Sequence, residues 1–198
     1  MRIQSSISNR AHDKPVRYDE GMVSTSTLVS VEEFLSTTYK PACEYRDGVL
    51  QQKSMPTFKH ALLQLVFAKL ILERFPEFVP APELTVRIGS DRFLVPDVAV
   101  QNRNNIQDPY PTEPIHLCIE ILSPSDRMSE TLAKCEEYLA WGVETTWIAD
   151  PEERRCWEFK AGHRPAEIQQ GGSLTAGRIA IPVDELFAGL DTLTQPTV

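Results

Sequence analysis

The sequence predicts an α/β fold, in the broad sense that includes α+β: a mixed β-sheet flanked by helices. Three observations carry this. Residues 115–122 form an apolar run of strand length, then a helical pattern reaches Trp141, and a second apolar strand covers 145–150. Two strands joined through a connection of that length pair in parallel. Upstream, residues 83–88 and 93–100 read as strands around Gly89-Ser90-Asp91, which predicts an antiparallel hairpin. Residues 58–75 repeat apolar side chains at helical spacing, with Leu62, Leu65, Val66, Leu70 and Ile71 on one stripe and Leu63 and Phe67 widening it.

The remaining elements follow in chain order. Residues 1–27 are rich in Ser, Thr, Asn and charge and read as a poorly ordered arm. A single domain spans 28–190, and 191–198 read as a tail. Ser30-Val31-Glu32-Glu33 is a capping box that starts a short helix over 31–37, and Pro41 prevents its continuation. Residues 43–51 read as a strand or a tight hairpin around Asp47-Gly48. The long helix ends at Pro76 and Pro80. It carries more apolar surface than one sheet face covers, which predicts a homodimer. Within 93–100 the strand is interrupted at Pro96, and 101–114 form a polar loop. Ser125 or Asp126 caps the helix that ends at Gly142. After it come a short strand over 155–159, a loop over 161–172, an edge pairing over 179–181 and a turn of helix over 183–187.

Composition bounds the function. The chain has 198 residues, 41% hydrophobic and 24% charged, as ordinary soluble domains do. No apolar run approaches the roughly 20 residues of a membrane-spanning helix, so no membrane partner is expected and cytoplasm is the default. None of the four cysteines is spaced as in a zinc knuckle, and they read as free thiols. A net charge of -8 argues against a generic nucleic-acid coat. It leaves room for acids gathered around a divalent metal.

The chemistry-bearing residues lie on those central strands. Glu120 sits inside the apolar run, where an unpartnered carboxylate is costly and demands a metal, a lysine or several donors. Asp97 follows Pro96 on a second apolar strand, and Lys134 lies on the next helix with Tyr138 one turn on. Magnesium takes oxygen ligands and keeps several waters, so Asp97 and Glu120 suffice if their strands are neighbours. Glu44 can reach the same place. His60 reads as a surface or capping histidine, and Ser123 and Ser125 as capping residues without a nucleophile motif.

Taken in order, Glu44-Tyr45-Arg46-Asp47-Gly48, His60 opening a helix, Pro96-Asp97-Val98, Glu120-Ile121-Leu122-Ser123-Pro124-Ser125, Lys134 with Tyr138, Gly142-Val143 and Trp147-Ile148-Ala149-Asp150-Pro151 resemble the Uma-type restriction endonuclease family of the PD-(D/E)XK nuclease superfamily. The likeness covers about residues 29–187. It implies a restriction-endonuclease-like core and Mg2+-dependent hydrolysis of DNA phosphodiester bonds, with Mn2+ as a substitute. It implies Asp97 and Glu120 as metal-binding acids, Glu44 as a further catalytic acid and Lys134 as the catalytic lysine. Leu122 stands where the superfamily usually has lysine, and Lys134 would replace it. Two alternatives accompany this reading: a non-catalytic binding or regulatory module on the same fold, and a phosphodiesterase acting on RNA or nucleotides.

Overall fold

The computed structural model describes residues 28–40 and 42–195. The arm expected over 1–27 lies outside the described residues. Ser30 caps α1 (Val31–Ser36), its Oγ accepting from the Glu33 N–H at 3.1 Å. β1 (Cys43–Arg46) and β2 (Val49–Gln52) form the expected hairpin. Asp47 and Gly48 turn it with φ of 51° and 88°, the left-handed pair that matches strand twist. Thr57 then caps α2 (Phe58–Arg74).

The next stretch departs from the sequence reading. Pro80, read as a helix stop, lies inside a strand, β3 (Phe78–Pro82). β3 is an edge strand beside β6, and an edge can lack the proline N–H without breaking a ladder. β4 (Val86–Gly89) and β5 (Arg92–Leu94) make the expected antiparallel hairpin. The single strand expected over 93–100 is two strands in different sheets: after β5 the chain turns at Pro96 and enters β6 (Val98–Asn102).

β7 (Leu117–Ile121), α3 (Met128–Trp141) and β8 (Thr145–Asp150) form the strand–helix–strand unit, and β7 pairs with β8 in parallel as expected. Neither Ser125 nor Asp126 caps α3. Arg127 holds that position without a side-chain bond, and the Asp126 carboxylate accepts from the Ser123 N–H at 2.7 Å instead. β9 (Arg155–Lys160) pairs with β10 (Ala166–Ile168), which occupies part of the expected loop. β11 (Ser173–Ala176) and β12 (Ile179–Pro182) form a small separate hairpin. The last helix, α4 (Val183–Thr194), runs well past the single turn expected and into the stretch read as a tail.

The main sheet has the order β10-β9-β8-β7-β6-β3, mixed because only β7 and β8 are parallel. One face packs Val98, Val100, Leu117, Ile119, Ile121 and Trp147 against α2 and α4. The other face sends Ala99 and Cys118 to Tyr138 of α3, and Ile148 to Cys135. Each buried aliphatic or aromatic side chain contributes about 1.5–3 kcal/mol. The layering explains the apolar surplus of α2: a second side of it is covered by α4, where Val66 meets Gly189. Phe58, Leu65 and Leu72, seven residues apart, stay exposed. A second, four-stranded sheet of order β2-β1-β5-β4 abuts the first where β5 gives way to β6. That seam positions everything that follows.

Gly142 ends α3 at φ 119°, and a Cβ there would lie 2.8 Å from Pro114 Cγ. Gly142→Ala is expected to cost about 1–3 kcal/mol. At this chain length that lowers Tm by roughly 2–4 °C per kcal/mol. Thermal unfolding of the variant at the wild-type Tm would contradict this account of the turn.

Candidate functional site

β6 and β7 are antiparallel, with Val98 opposite Ile119. Asp97 lies one residue before β6, and its Oδ2 accepts from the Ile121 N–H of β7 at 2.6 Å, which sets it beside Glu120, the preceding residue of β7. Alternation along β7 sends Ile119 and Ile121 to the α2 side and Cys118 and Glu120 to the α3 side. α3 meets them with Lys134 and Tyr138, one turn apart on one face. Lys134 Nζ lies 2.9 Å from Glu120 Oε2, and the Tyr138 hydroxyl donates to Glu120 Oε1 at 2.9 Å.

β1 brings Glu44 from the other sheet. Its Oε1 accepts from Lys134 Nζ at 2.6 Å and from the Val95 N–H at 3.1 Å, and its Oε2 accepts from Arg46 at 3.1 Å. The four residues singled out in the sequence therefore converge. Glu44, Asp97, Glu120 and Lys134 line one cleft of about 450 Å³. The three carboxylates are buried, at 4%, 3% and 6% exposure.

Sequence reasoning missed two members and misread two others. Lys53, just past β2, places its Nζ 2.8 Å from Asp97 Oδ1, 2.7 Å from Glu83 Oε2 and 3.0 Å from the Val95 carbonyl. That carbonyl also accepts from Lys134 at 3.0 Å. Nothing local marks Lys53 or Glu83. Both reach the cleft through strand pairings and a left-handed backbone at Glu83, φ 54°. His60 is neither a surface residue nor a cap. It is 5% exposed, and its Nδ1 lies 3.2 Å from Ser123 Oγ. Thr57 does the capping, through the His60 N–H. Ser123 thus faces His60, while Ser125 is exposed.

The charges are set by this crowding. Burial and the nearby carboxylates of Asp97 and Glu44 push Glu120 up to about 7 even though Lys134 opposes them. Burial also works against ionised Asp97, but His60, Lys53 and Lys134 outweigh it and hold its carboxyl well below the usual range. Glu44 behaves alike: burial raises it, and Lys134, the Val95 N–H and Arg46 bring it below its ordinary value. Burial opposes charge on Lys134 too, yet Glu120, Glu44 and Asp97 raise its pKa and keep it an ammonium. Oxygens from two neighbouring carboxylates at a solvent-reached cleft fit the donor chemistry of a hard divalent cation.

Comparison with known proteins gives the family and the fold. The model of the family Uma2, described as "Putative restriction endonuclease", matches residues 31–187, and the chain belongs to that family. Its fold is shared by a crystal structure described as a putative nuclease belonging to DUF820 from Anabaena variabilis ATCC 29413. That similarity has a TM-score of 0.70 at 22% identity and covers 82% of this chain and 99% of that one. A DrdV–DNA complex aligns at 16% identity over 67% of this chain and 11% of that one, and its TM-score of 0.38 carries no argument. No curated protein matches.

The raised pKa of Glu120 has a consequence for stability. In the fold it keeps its proton up to about pH 7, whereas an unfolded glutamate releases it near 4.5. Folding takes up a proton between those values, so this contribution is complete below the unfolded pKa and is lost as pH rises through the folded one. The lowered Asp97 and Glu44 act oppositely, and only in acid below the usual carboxylate range. Denaturant unfolding in chelator is expected to lose on the order of 3 kcal/mol from pH 4.5 to above 7 from Glu120 alone. Glu120→Gln flattens that slope. An equal slope in the variant counts against the assignment.

Proposed function

We propose that this Uma2-family chain is a metal-dependent endonuclease that hydrolyses DNA phosphodiester bonds. The convergence of Glu44, Asp97, Glu120 and Lys134 in one solvent-reached cleft carries the reading. Asp97 and Glu120 would hold Mg2+, for which Mn2+ can substitute. The ion would supply Lewis acidity toward a phosphoryl oxygen and acidify a bound water.

The chain's own residues supply the rest. Lys134, kept protonated by its acids, offsets negative charge that develops on the phosphoryl group. Tyr138 fixes the Glu120 carboxylate through its hydroxyl. Glu44 orients the Lys134 ammonium by a 2.6 Å ion pair and is itself held by the Val95 N–H. Arg127, whose side chain is 79% exposed at the cleft rim, would meet the nucleic-acid backbone.

The exposed stripe of Phe58, Leu65 and Leu72 on α2 supports a homodimer across that helix. Sedimentation at micromolar concentration is expected to show a dimer that Leu65→Lys converts to monomer. A wild-type monomer sinks the idea.

Cleavage is tested on plasmid and single-stranded DNA with Mg2+ or Mn2+. Asp97→Asn keeps an acceptor for the Ile121 N–H, which Asp97 Oδ2 now receives at 2.6 Å, so the fold is expected to survive. The rate should fall by about 10²-fold or more in Asp97→Asn and in Lys134→Met. Equal cleavage by both variants and wild type would mean a contaminant. No cleavage by folded, metal-loaded wild type would leave the non-catalytic module on this fold. Cleavage confined to RNA or a nucleotide would move the substrate class.

A further inference from the structure

The Lys134–Glu44 ion pair continues into a chain of charges that runs out of the cleft. Glu44 and Arg46 are two residues apart on β1, so both project from one face of it, toward α3. Glu44 Oε1 pairs with Lys134 at 2.6 Å, and its Oε2 accepts from Arg46 Nη2 at 3.1 Å. Arg46 Nη1 donates in turn to Glu137 Oε1. Lys134 and Glu137 lie three residues apart on α3 and share a face. The four side chains therefore close a ring of alternating charge in which α3 grips β1 twice. Arg92 of β5 donates to the other Glu137 oxygen, Oε2, at 2.9 Å, and also to Asp47 at the β1–β2 turn. Lys134, Glu44 and Arg46 line the cleft, whereas Glu137 lies behind that lining.

The way Arg46 is held is the second observation. A guanidinium meets a carboxylate best as a fork, through two parallel N–H bonds. Arg46 instead gives one nitrogen to each acid, Nη2 to Glu44 and Nη1 to Glu137. Its Nε is buried and has no hydrogen-bond partner among the described residues. Turning Nε and Nη2 together onto Glu44 would complete the fork and satisfy the orphaned N–H. Glu137 opposes that turn by holding Nη1 from the far side. The consequence falls on Lys134. Glu44 Oε1 serves both Lys134 and the Val95 N–H, and a forked arginine would draw that oxygen to itself. The ammonium would be left to Glu120 and the Val95 carbonyl.

We propose that Glu137 is a positioning residue for the reaction: by restraining Arg46 it keeps Glu44 on Lys134, and so keeps the ammonium in place for the phosphoryl group. The part in the reaction rests on the nuclease reading. The restraint on Lys134 does not, and it is observable without substrate.

Nitrogen-15 magnetic resonance of the lysine-labelled full chain reads the Lys134 ammonium directly, with its signal identified by loss in Lys134→Met. Wild type should show that signal, because a buried, ion-paired ammonium is protected from exchange with water. Glu137→Gln should shift it or broaden it away. Arg92→Gln removes the other partner of Glu137 but spares the Arg46 bond, and should leave the signal in place. Arg46→Met combined with Glu137→Gln removes the competing fork and should bring the signal back toward wild type. In plasmid cleavage with Mg2+, Glu137→Gln should lower kcat about tenfold with KM little changed, and the double variant should recover most of that loss. The Arg46 and Glu137 side chains are 23% and 21% exposed, so neither change empties a core position. A merely structural network makes the double variant worse than Glu137→Gln alone, and that result overturns the proposal. So does a Lys134 signal that is missing in wild type, unaltered by Glu137→Gln, or altered equally by Arg92→Gln. A wild type that does not cleave, with the signal behaving as stated, removes the nuclease reading and leaves the restraint on Lys134. Cleavage with a signal unaltered in Glu137→Gln does the opposite.

Discussion

Two ammonium groups meet at one backbone carbonyl, and the architecture of the cleft depends on that meeting. Val95 offers its oxygen to Lys53 and Lys134, each at 3.0 Å, and its N–H to Glu44. It sits where the chain leaves one sheet for the other. Pro96 has no N–H to continue a ladder, so the crossing falls there. Asp97 follows at once and is fixed by Ile121, Lys53 and His60. Burying carboxylates costs several kcal/mol each unless partners converge on them. Here the partners come from β1, the end of β2, α2 and α3, so the cleft exists only when both sheets and both helices are in place.

The parts of this arrangement that were legible in the sequence are those governed by local rules. Glu120 interrupts an apolar run, and apolar runs of that length are buried strands. Asp97 does the same beside a proline. Lys134 and Tyr138 lie one turn apart on a capped helix, so a single spacing rule aligns them. The Gly142 stop and the Asp47-Gly48 turn follow from left-handed backbone, which glycine and aspartate tolerate.

The parts that were not legible depend on pairing at a distance. Lys53 looks like any lysine in a polar stretch until β1 and β2 carry it beneath Val95. Glu83 follows Pro80, which resembles a helix stop, and Pro82, and both sit in β3 because it is an edge strand. His60 follows a good N-cap, which explains it away too early: its backbone serves the cap while its ring turns inward. Ser123 likewise resembles a cap, but the Ser123-Pro124-Ser125-Asp126 turn spends Asp126 on the Ser123 N–H and frees the Ser123 hydroxyl for His60.

The acidic charge of the chain bears on how such a cleft could receive an anionic substrate. Its lining carries the acids Glu44, Glu83, Asp97, Glu120, Asp126 and Glu130 against the cations Arg46, Lys53, Arg127 and Lys134. Without added positive charge, a phosphodiester approaching that lining meets a local excess of negative charge, and a cleft focuses such a field. Each divalent ion bound there would shift the balance by two charges. Under the proposed function, metal loading would then aid substrate approach, and the net charge of -8 would be compatible with a nucleic-acid partner. The acids are too numerous for the two buried lysines to neutralise. That surplus is what a stable ion-pair core would avoid, and it is the charge balance that the proposed divalent ion would relieve.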